Sequence, residues 1–150
     1  MSLAFHAGVQ RFVAFSNSPP CWLTANGLPY SDNDRTKSEP KTTNLGPATK
    51  PGAWAPEYAK FLAQVVKHLS NMTRGAKWYV SPINEPDNLW DNNRQEGCRY
   101  DNVTIINVIY ELHFALKHLN LLGVQIIGPE ASDNSPRLKA GASWFSDSPC

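Results

Sequence analysis

The decapeptide KWYVSPINEP occupies residues 77–86 and combines a strand pattern with a polar turn. Its first four residues, 77–80, are mostly aromatic or β-branched, which is typical of a short buried strand. The second half turns the chain through two prolines and presents Asn84 and Glu85 side by side. The stretch therefore predicts a strand whose carboxyl end carries an amide and a carboxyl group.

Two more stretches have the same character, RFVAF at residues 11–15 and VQIIG at residues 124–128. Each of them also runs into a turn rich in proline or polar residues. Between the strands, apolar residues recur at spacings of three and four, which predicts helices from residue 56 to about 70 and from 102 to about 120. The alternation of strands and helices predicts an α/β fold with a parallel sheet and helices packed outside it.

The starts of both predicted helices carry recognisable signals. Pro56 suits the first helical position, because its missing N–H would have no partner there. Asp101 is a candidate N-cap for the second helix.

Composition restricts the class of protein. The chain has 150 residues, of which 41% are hydrophobic, so it can build a core of one domain and is not wholly disordered. Its formal charge of +1 gives no electrostatic reason to expect a nucleic-acid or anionic-membrane partner. No apolar run approaches the roughly 20 residues that cross a bilayer, so no membrane span is expected.

The connections that follow the first two strands are long. About forty residues separate Asn17 from the first helix, and about fifteen separate Glu85 from the second. Loops of this length are usually functional in a compact domain, and parallel α/β folds place their sites where strands end. A partly desolvated carboxyl group such as Glu85 can act there as a general acid. The alternative is that Asn-Glu-Pro only forms a turn that ends the strand.

Three strand ends resemble those of a known enzyme family. FVAFSNSPP at residues 12–20, YVSPINEP at 79–86 and IGPEA at 127–131 are similar to the third, fourth and fifth strand regions of glycoside hydrolase family 30. The match is strongest to the fungal endo-β-1,6-galactanase-like group. The resemblance implies that residues 1–150 are a fragment of a catalytic domain, namely a partial TIM (β/α)8 barrel with about strands 3–5 and their helices.

The same resemblance implies a retaining, two-carboxylate hydrolysis of a β-linked polysaccharide such as β-1,6-galactan. Glu85 would be the acid/base, Asn84 would hold the 2-hydroxyl of the sugar, and Asn17 and Trp22 would shape the sugar site. The nucleophile is expected on a seventh strand, beyond residue 150. No cofactor and no metal are implied, and the expected partner is a polysaccharide or oligosaccharide.

Two alternatives to this assignment stay open. The barrel could act on β-glucan, xylan or glucosylceramide instead of galactan. The chain could also be a catalytically inactive carbohydrate-binding remnant that lacks the nucleophile.

Three further side chains are candidates for substrate binding. Trp22 and Trp90 could each stack on a pyranose ring, or each could pack within its loop. Glu130, at the end of the third predicted strand, is expected to line the site and orient other groups. Its use as the nucleophile is the weaker alternative.

The cysteines and glycosylation sequons bear on the cellular compartment. Three cysteines are an odd number, so one is unpaired or bonds outside the chain. Cys21 and Cys98 are both predicted on loops at the same end of the sheet, so a disulfide between them is one alternative. Sequons begin at Asn71 and Asn102. An extracellular parent glycoprotein is expected, although the N-terminus shows no signal peptide.

Overall fold

The computed structural model describes residues 2–31, 43–47, 49–50, 52–86, 88, 90 and 95–130. The elements follow in this order: α1 (Ser2–His6), β1 (Arg11–Phe15), a short 3₁₀ turn (Cys21–Leu23), α2 (Ala55–Asn71), β2 (Lys77–Ser81), α3 (Asn102–His118) and β3 (Gln125–Ile126). The predicted alternation of strands and helices is confirmed.

The three strands form one parallel sheet in the order β1-β2-β3. Val13 of β1 pairs with Tyr79 of β2, and Tyr79 pairs in turn with Gln125 of β3. The first strand has the predicted bounds, whereas β3 is shorter than the predicted segment 124–128. Pro129 lies just beyond it and has no N–H to donate to a neighbouring strand, which limits how far regular pairing can extend.

Both long helices follow the periodicity of their sequences. In α2, Tyr58, Leu62 and Val66 are buried at intervals of four residues, so they lie on one face. The side chain of Asp101 accepts a hydrogen bond of 2.7 Å from the backbone N–H of Thr104, which confirms the predicted N-cap of α3.

The two helices contact each other and pack on the same face of the sheet. Five side chains of the sheet point to that face: Phe12, Ala14, Trp78, Val80 and Ile126. On the opposite face, Val13 is 51% exposed and Phe15 is 50% exposed. The sheet therefore has apolar side chains on both faces, and in the described part of the chain α2 and α3 cover one of these faces.

Candidate functional site

The carboxyl ends of β1 and β2 are joined by hydrogen bonds that continue beyond the strands. The N–H of Ser16 donates to the carbonyl oxygen of Ser81 at 3.0 Å. Past that point, Nδ2 of Asn84 donates to Oδ1 of Asn17 at 2.8 Å. The structure thus brings together Asn17 and Asn84, two residues that the sequence selected as site candidates.

The loop after β2 is also paired with the segment after β3. Asn84 and Glu130 form a parallel bridge. The N–H of Glu85 donates to the carbonyl oxygen of Glu130 at 2.6 Å, and the N–H of Glu130 donates to the carbonyl oxygen of Ile83 at 3.2 Å. These bonds place the backbone of Glu130 directly beside the Asn84–Glu85 pair.

Glu85 is half-buried and has a left-handed backbone, with φ of 41°. Such a conformation is uncommon for a residue with a Cβ atom and persists where the surroundings impose it. Here the N–H of Glu85 is bonded to Glu130, and its carbonyl oxygen accepts a hydrogen bond of 2.9 Å from Nε1 of Trp90. Both backbone groups of Glu85 are therefore anchored, which fixes the direction in which its side chain leaves the loop.

The carboxylate of Glu85 has one neutral partner in the described part of the chain. Nδ2 of Asn88 donates to Oε2 of Glu85 at 2.9 Å. The other oxygen, Oε1, accepts no hydrogen bond from a described residue. A half-buried carboxyl group with one open oxygen can exchange a proton with a bound molecule, and the nearby amides can bind hydroxyl groups.

Trp90 packs inside the loop. Its side chain is 3% exposed, and a Cβ atom at position 97 would overlap its ring, so Gly97 lies directly against the indole. A covered ring has no free face for a pyranose. Of the two alternatives for Trp90, the structure therefore favours loop packing, and the stacking role expected from sequence does not fit this geometry.

Trp22 has the opposite environment. It is 67% exposed and contacts the ring of Phe61 on α2 edge-to-face, with ring centroids 6.2 Å apart. No contact in the described part of the chain joins Trp22 to Glu85 or Asn84. Its open ring face is compatible with stacking on a sugar.

Three polar residues beside these groups were not singled out from sequence. Ser81 donates a hydrogen bond to the carboxylate of Glu130, Asn88 donates to Glu85, and the hydroxyl of Tyr58 donates to the carbonyl oxygen of Pro82. Asn88 could have been suspected, because it follows the glutamate by three residues in the same loop. Ser81 and Tyr58 lack such a signal, because one resembles a turn residue and the other a core residue of a helix.

A buried group of weak acids lies beneath the site and contains Tyr58, Cys98 and Tyr100. Desolvation raises the pKa of the Cys98 thiol to about 12 and raises the pKa of both tyrosines above their ordinary value. All three groups are therefore neutral at physiological pH. Cys98 is a free thiol, as is the exposed Cys21, so the disulfide considered between them is not formed. Cys150 lies outside the described residues.

Among the described residues, no group of three or more His, Cys, Asp or Glu side chains is placed to hold a metal ion. Within those same segments, no helix has the length and apolar character needed to cross a bilayer.

A comparison with solved structures found a similar fold in a conserved exported protein from Bacteroides fragilis. The two chains share 25% sequence identity with a TM-score of 0.74. The match covers 89% of this chain and 25% of the other, so the chain spans about a quarter of that protein's length. A search of the curated proteins found no match.

The sequence was also compared with models of protein families, and one of these models matches it. The model of O-glycosyl hydrolase family 30 matches residues 1–139, a range that includes all three strands and every candidate residue of the site. The motifs that resembled this family in the sequence lie at the three strand ends that the structure brings together. The chain belongs to O-glycosyl hydrolase family 30.

Proposed function

We propose that the chain carries the acid/base carboxyl group, Glu85, of a retaining glycoside hydrolase. The observation that carries this proposal is the anchored position of Glu85 beside Asn84 at the carboxyl end of the central strand. Membership of family 30 supports hydrolysis of a glycosidic bond as the reaction. The anchored backbone supports a role that depends on a fixed side-chain direction.

The architecture supports a place within a (β/α)8 barrel. The strands are parallel and adjacent in chain order, and both long helices cover one face. Strands 3–5 of a barrel would have this arrangement, with their other face turned to the barrel interior. Val13 and Phe15, which are half-exposed here, would then pack against side chains from the remaining strands.

In the proposed reaction, Glu85 donates its proton to the glycosidic oxygen as the bond to the leaving group breaks. A second carboxylate, on a further strand of the barrel and about 5–5.5 Å from the Glu85 carboxyl group, attacks the anomeric carbon and forms a glycosyl-enzyme. Glu85 then removes a proton from water, which hydrolyses this intermediate. Asn84 would bind the 2-hydroxyl of the sugar, with its amide held in place by Asn17.

The proposed substrate is a β-linked polysaccharide, with β-1,6-galactan as the first choice on the motifs. Trp22 would provide a stacking surface at the edge of the site, because its ring is open. We also propose an extracellular location for the complete protein. The exported character stated for the B. fragilis protein and the two sequons support this location.

The decisive experiment compares Glu85→Gln with wild type in the protein encoded by the full reading frame that contains this chain. Turnover of a natural oligosaccharide, whose leaving group needs protonation, should fall at least about 100-fold, within the range for loss of general acid catalysis. Formation of the glycosyl-enzyme from an aryl glycoside with a good leaving group should change far less. Added azide should restore turnover of that substrate and yield a glycosyl azide of retained configuration.

Glu57→Gln is the matched control, because Glu57 is an exposed carboxylate in the first turn of α2. It should behave as wild type on both substrates. Equal losses on both substrates for Glu85→Gln, without azide rescue, would exclude Glu85 as the acid/base. Tight oligosaccharide binding by a wild-type protein that hydrolyses nothing would instead establish the binding remnant.

A further inference from the structure

Tyr58 connects the helix layer to the ends of two strands. Its side chain is fully buried, although it belongs to α2. Its hydroxyl donates a hydrogen bond of 2.8 Å to the carbonyl oxygen of Pro82 and lies 2.7 Å from Oγ of Ser16. One phenol group therefore contacts the first residue after β1 and the first residue after β2.

The two residues that Tyr58 contacts lie just before the amide pair of the site in sequence. Ser16 is followed directly by Asn17, and Pro82 is separated from Asn84 by Ile83 alone. The amide pair is itself closed by the hydrogen bond of 2.8 Å between Asn84 Nδ2 and Asn17 Oδ1. Tyr58 therefore helps to set the distance between the backbone segments after β1 and after β2. These segments carry Asn17 and Asn84, whose side chains form the hydrogen bond.

Backbone pairing cannot replace this contact. Pro82 has no N–H, so it cannot donate a ladder hydrogen bond towards β1. The last backbone bond between the two strand ends is the one from Ser16 N–H to the carbonyl oxygen of Ser81. Beyond it, the phenol of Tyr58 and the hydrogen bond between the side-chain amides of Asn17 and Asn84 hold the two segments together.

We infer that Tyr58 is a positioning residue for substrate binding, which acts through the Asn17–Asn84 pair to aim the amide of Asn84 at the sugar 2-hydroxyl. This inference rests on the proposed function for the identity of the bound hydroxyl. Tyr58 lies on a helix, outside the loops, and its buried hydroxyl contacts Ser16 and Pro82.

The chemistry of the group suits this task. Burial raises the pKa of the Tyr58 phenol above its ordinary value, so the hydroxyl stays protonated and keeps donating throughout the neutral range. Substitution by phenylalanine would retain the ring in the core and remove the one atom that contacts both strand ends. The carbonyl oxygen of Pro82, which is buried with its residue, would lose this partner.

The test uses Tyr58→Phe in the full-reading-frame protein with two substrates, an aryl glycoside and its 2-deoxy analogue. We expect kcat/KM on the 2-hydroxyl substrate to fall about 10- to 100-fold, since small misplacements of binding groups have effects of this size. On the 2-deoxy substrate, the variant should stay close to wild type, because that sugar offers Asn84 no hydroxyl. Equal losses on both substrates would mean a general structural role and would overturn the inference.

Two further variants make the result decisive. Tyr110→Phe is the matched control, because Tyr110 is 61% exposed on α3, and it should change neither rate. Ser16→Ala removes the second contact of the phenol, together with the hydrogen bond of 3.1 Å from Ser16 Oγ to the carbonyl oxygen of Ser18. It should show the same substrate selectivity with a smaller loss of rate. It replaces Tyr58→Phe if that variant does not fold, and equal losses on both substrates would overturn the inference in the same way.

A measurement that does not depend on catalysis distinguishes the positioning role of Tyr58 from the proposed function of the protein. In the NMR spectrum of the protein, the side-chain amide signal of Asn84 should shift in Tyr58→Phe and stay unchanged in Tyr110→Phe. A shift in a protein without glycosidase activity would retain the positioning role and reject the function. An unchanged signal in an active enzyme would reject the positioning role and retain the function.

Discussion

The hydroxyl of Ser81 donates a hydrogen bond of 2.9 Å to Oε1 of Glu130, across 49 residues of sequence. Ser81 is the last residue of β2, and Glu130 is the bridge partner of Asn84. The bond therefore orients the Glu130 carboxylate at the same strand ends that carry Asn84 and Glu85. A carboxylate held in this way can help to organise a site without itself reacting.

Glu130→Gln should lower kcat/KM of the full-reading-frame protein about tenfold or less and leave covalent chemistry intact. The amide oxygen of glutamine can still accept the hydrogen bond from Ser81, so the geometry should be largely kept. Labelling with an activated 2-deoxy-2-fluoro glycoside, followed by mass spectrometry, measures glycosyl-enzyme formation. Ser81→Ala should give a loss of similar size. If Glu130→Gln abolished labelling, Glu130 would be the nucleophile.

Trp22→Ala should weaken oligosaccharide binding by about 1–2 kcal/mol, on the scale of a lost aromatic contact. The ring is 67% exposed, so its removal should leave the core unaffected. Titration calorimetry of the folded protein measures the change, and Tyr110→Ala removes an exposed aromatic ring from α3 as a control. Unchanged affinity in Trp22→Ala would leave loop packing as its role.

Gly97→Ala should lower the free energy of unfolding by about 1–3 kcal/mol, the usual effect of overpacking. A methyl group at position 97 would overlap the Trp90 indole, which is itself anchored to the backbone of Glu85. Gly123→Ala is the matched control, because a Cβ atom there meets nothing within 4 Å. Denaturant unfolding of both variants gives the comparison. Equal stabilities would show that the loop yields to the methyl group without cost.

Stability should fall as pH rises from about 9 to about 12, because burial raises the pKa of Cys98 from 9.0 to about 12. Between these values the thiol of the unfolded chain loses its proton while the folded thiol keeps it, so high pH favours unfolding. Tyr58 and Tyr100 shift in the same direction. Urea unfolding at several pH values should show a smaller alkaline loss for Cys98→Ala than for wild type. Parallel pH profiles for the two proteins would contradict this assignment.

Residues 1–150 expressed alone should associate. Among the described residues, no strand pairs with the outer edges of β1 and β3, and Val13 and Phe15 expose apolar surface on the face opposite the helices. Light scattering after gel filtration measures the association, which the double substitution Val13→Thr and Phe15→Thr should reduce. A monomer with a cooperative melt would contradict this prediction.

The local elements were predictable because their causes are local. The local signals act within a few residues of where they stand: apolar spacings of three and four, Pro56 near the start of α2, and Asp101 at the N-cap of α3. The strand ends and the polar turns that follow them were predictable for the same reason. Their assembly into one parallel sheet followed from the order of the elements, since helical crossovers connect parallel strands.

The sequence did not determine which sheet face the helices cover, and it left Trp22 and Trp90 with equivalent alternatives. The covered face and the roles of the two tryptophans depend on how exposed the side chains are. That exposure is set by chain segments that are distant in sequence. Trp90 is buried because Gly97 leaves room for its ring, whereas Trp22 is 67% exposed and meets the ring of Phe61 edge-to-face. Likewise, the hydrogen bond between the side-chain amides of Asn17 and Asn84 spans 67 residues, and the two residues meet because β1 and β2 pair in the tertiary structure.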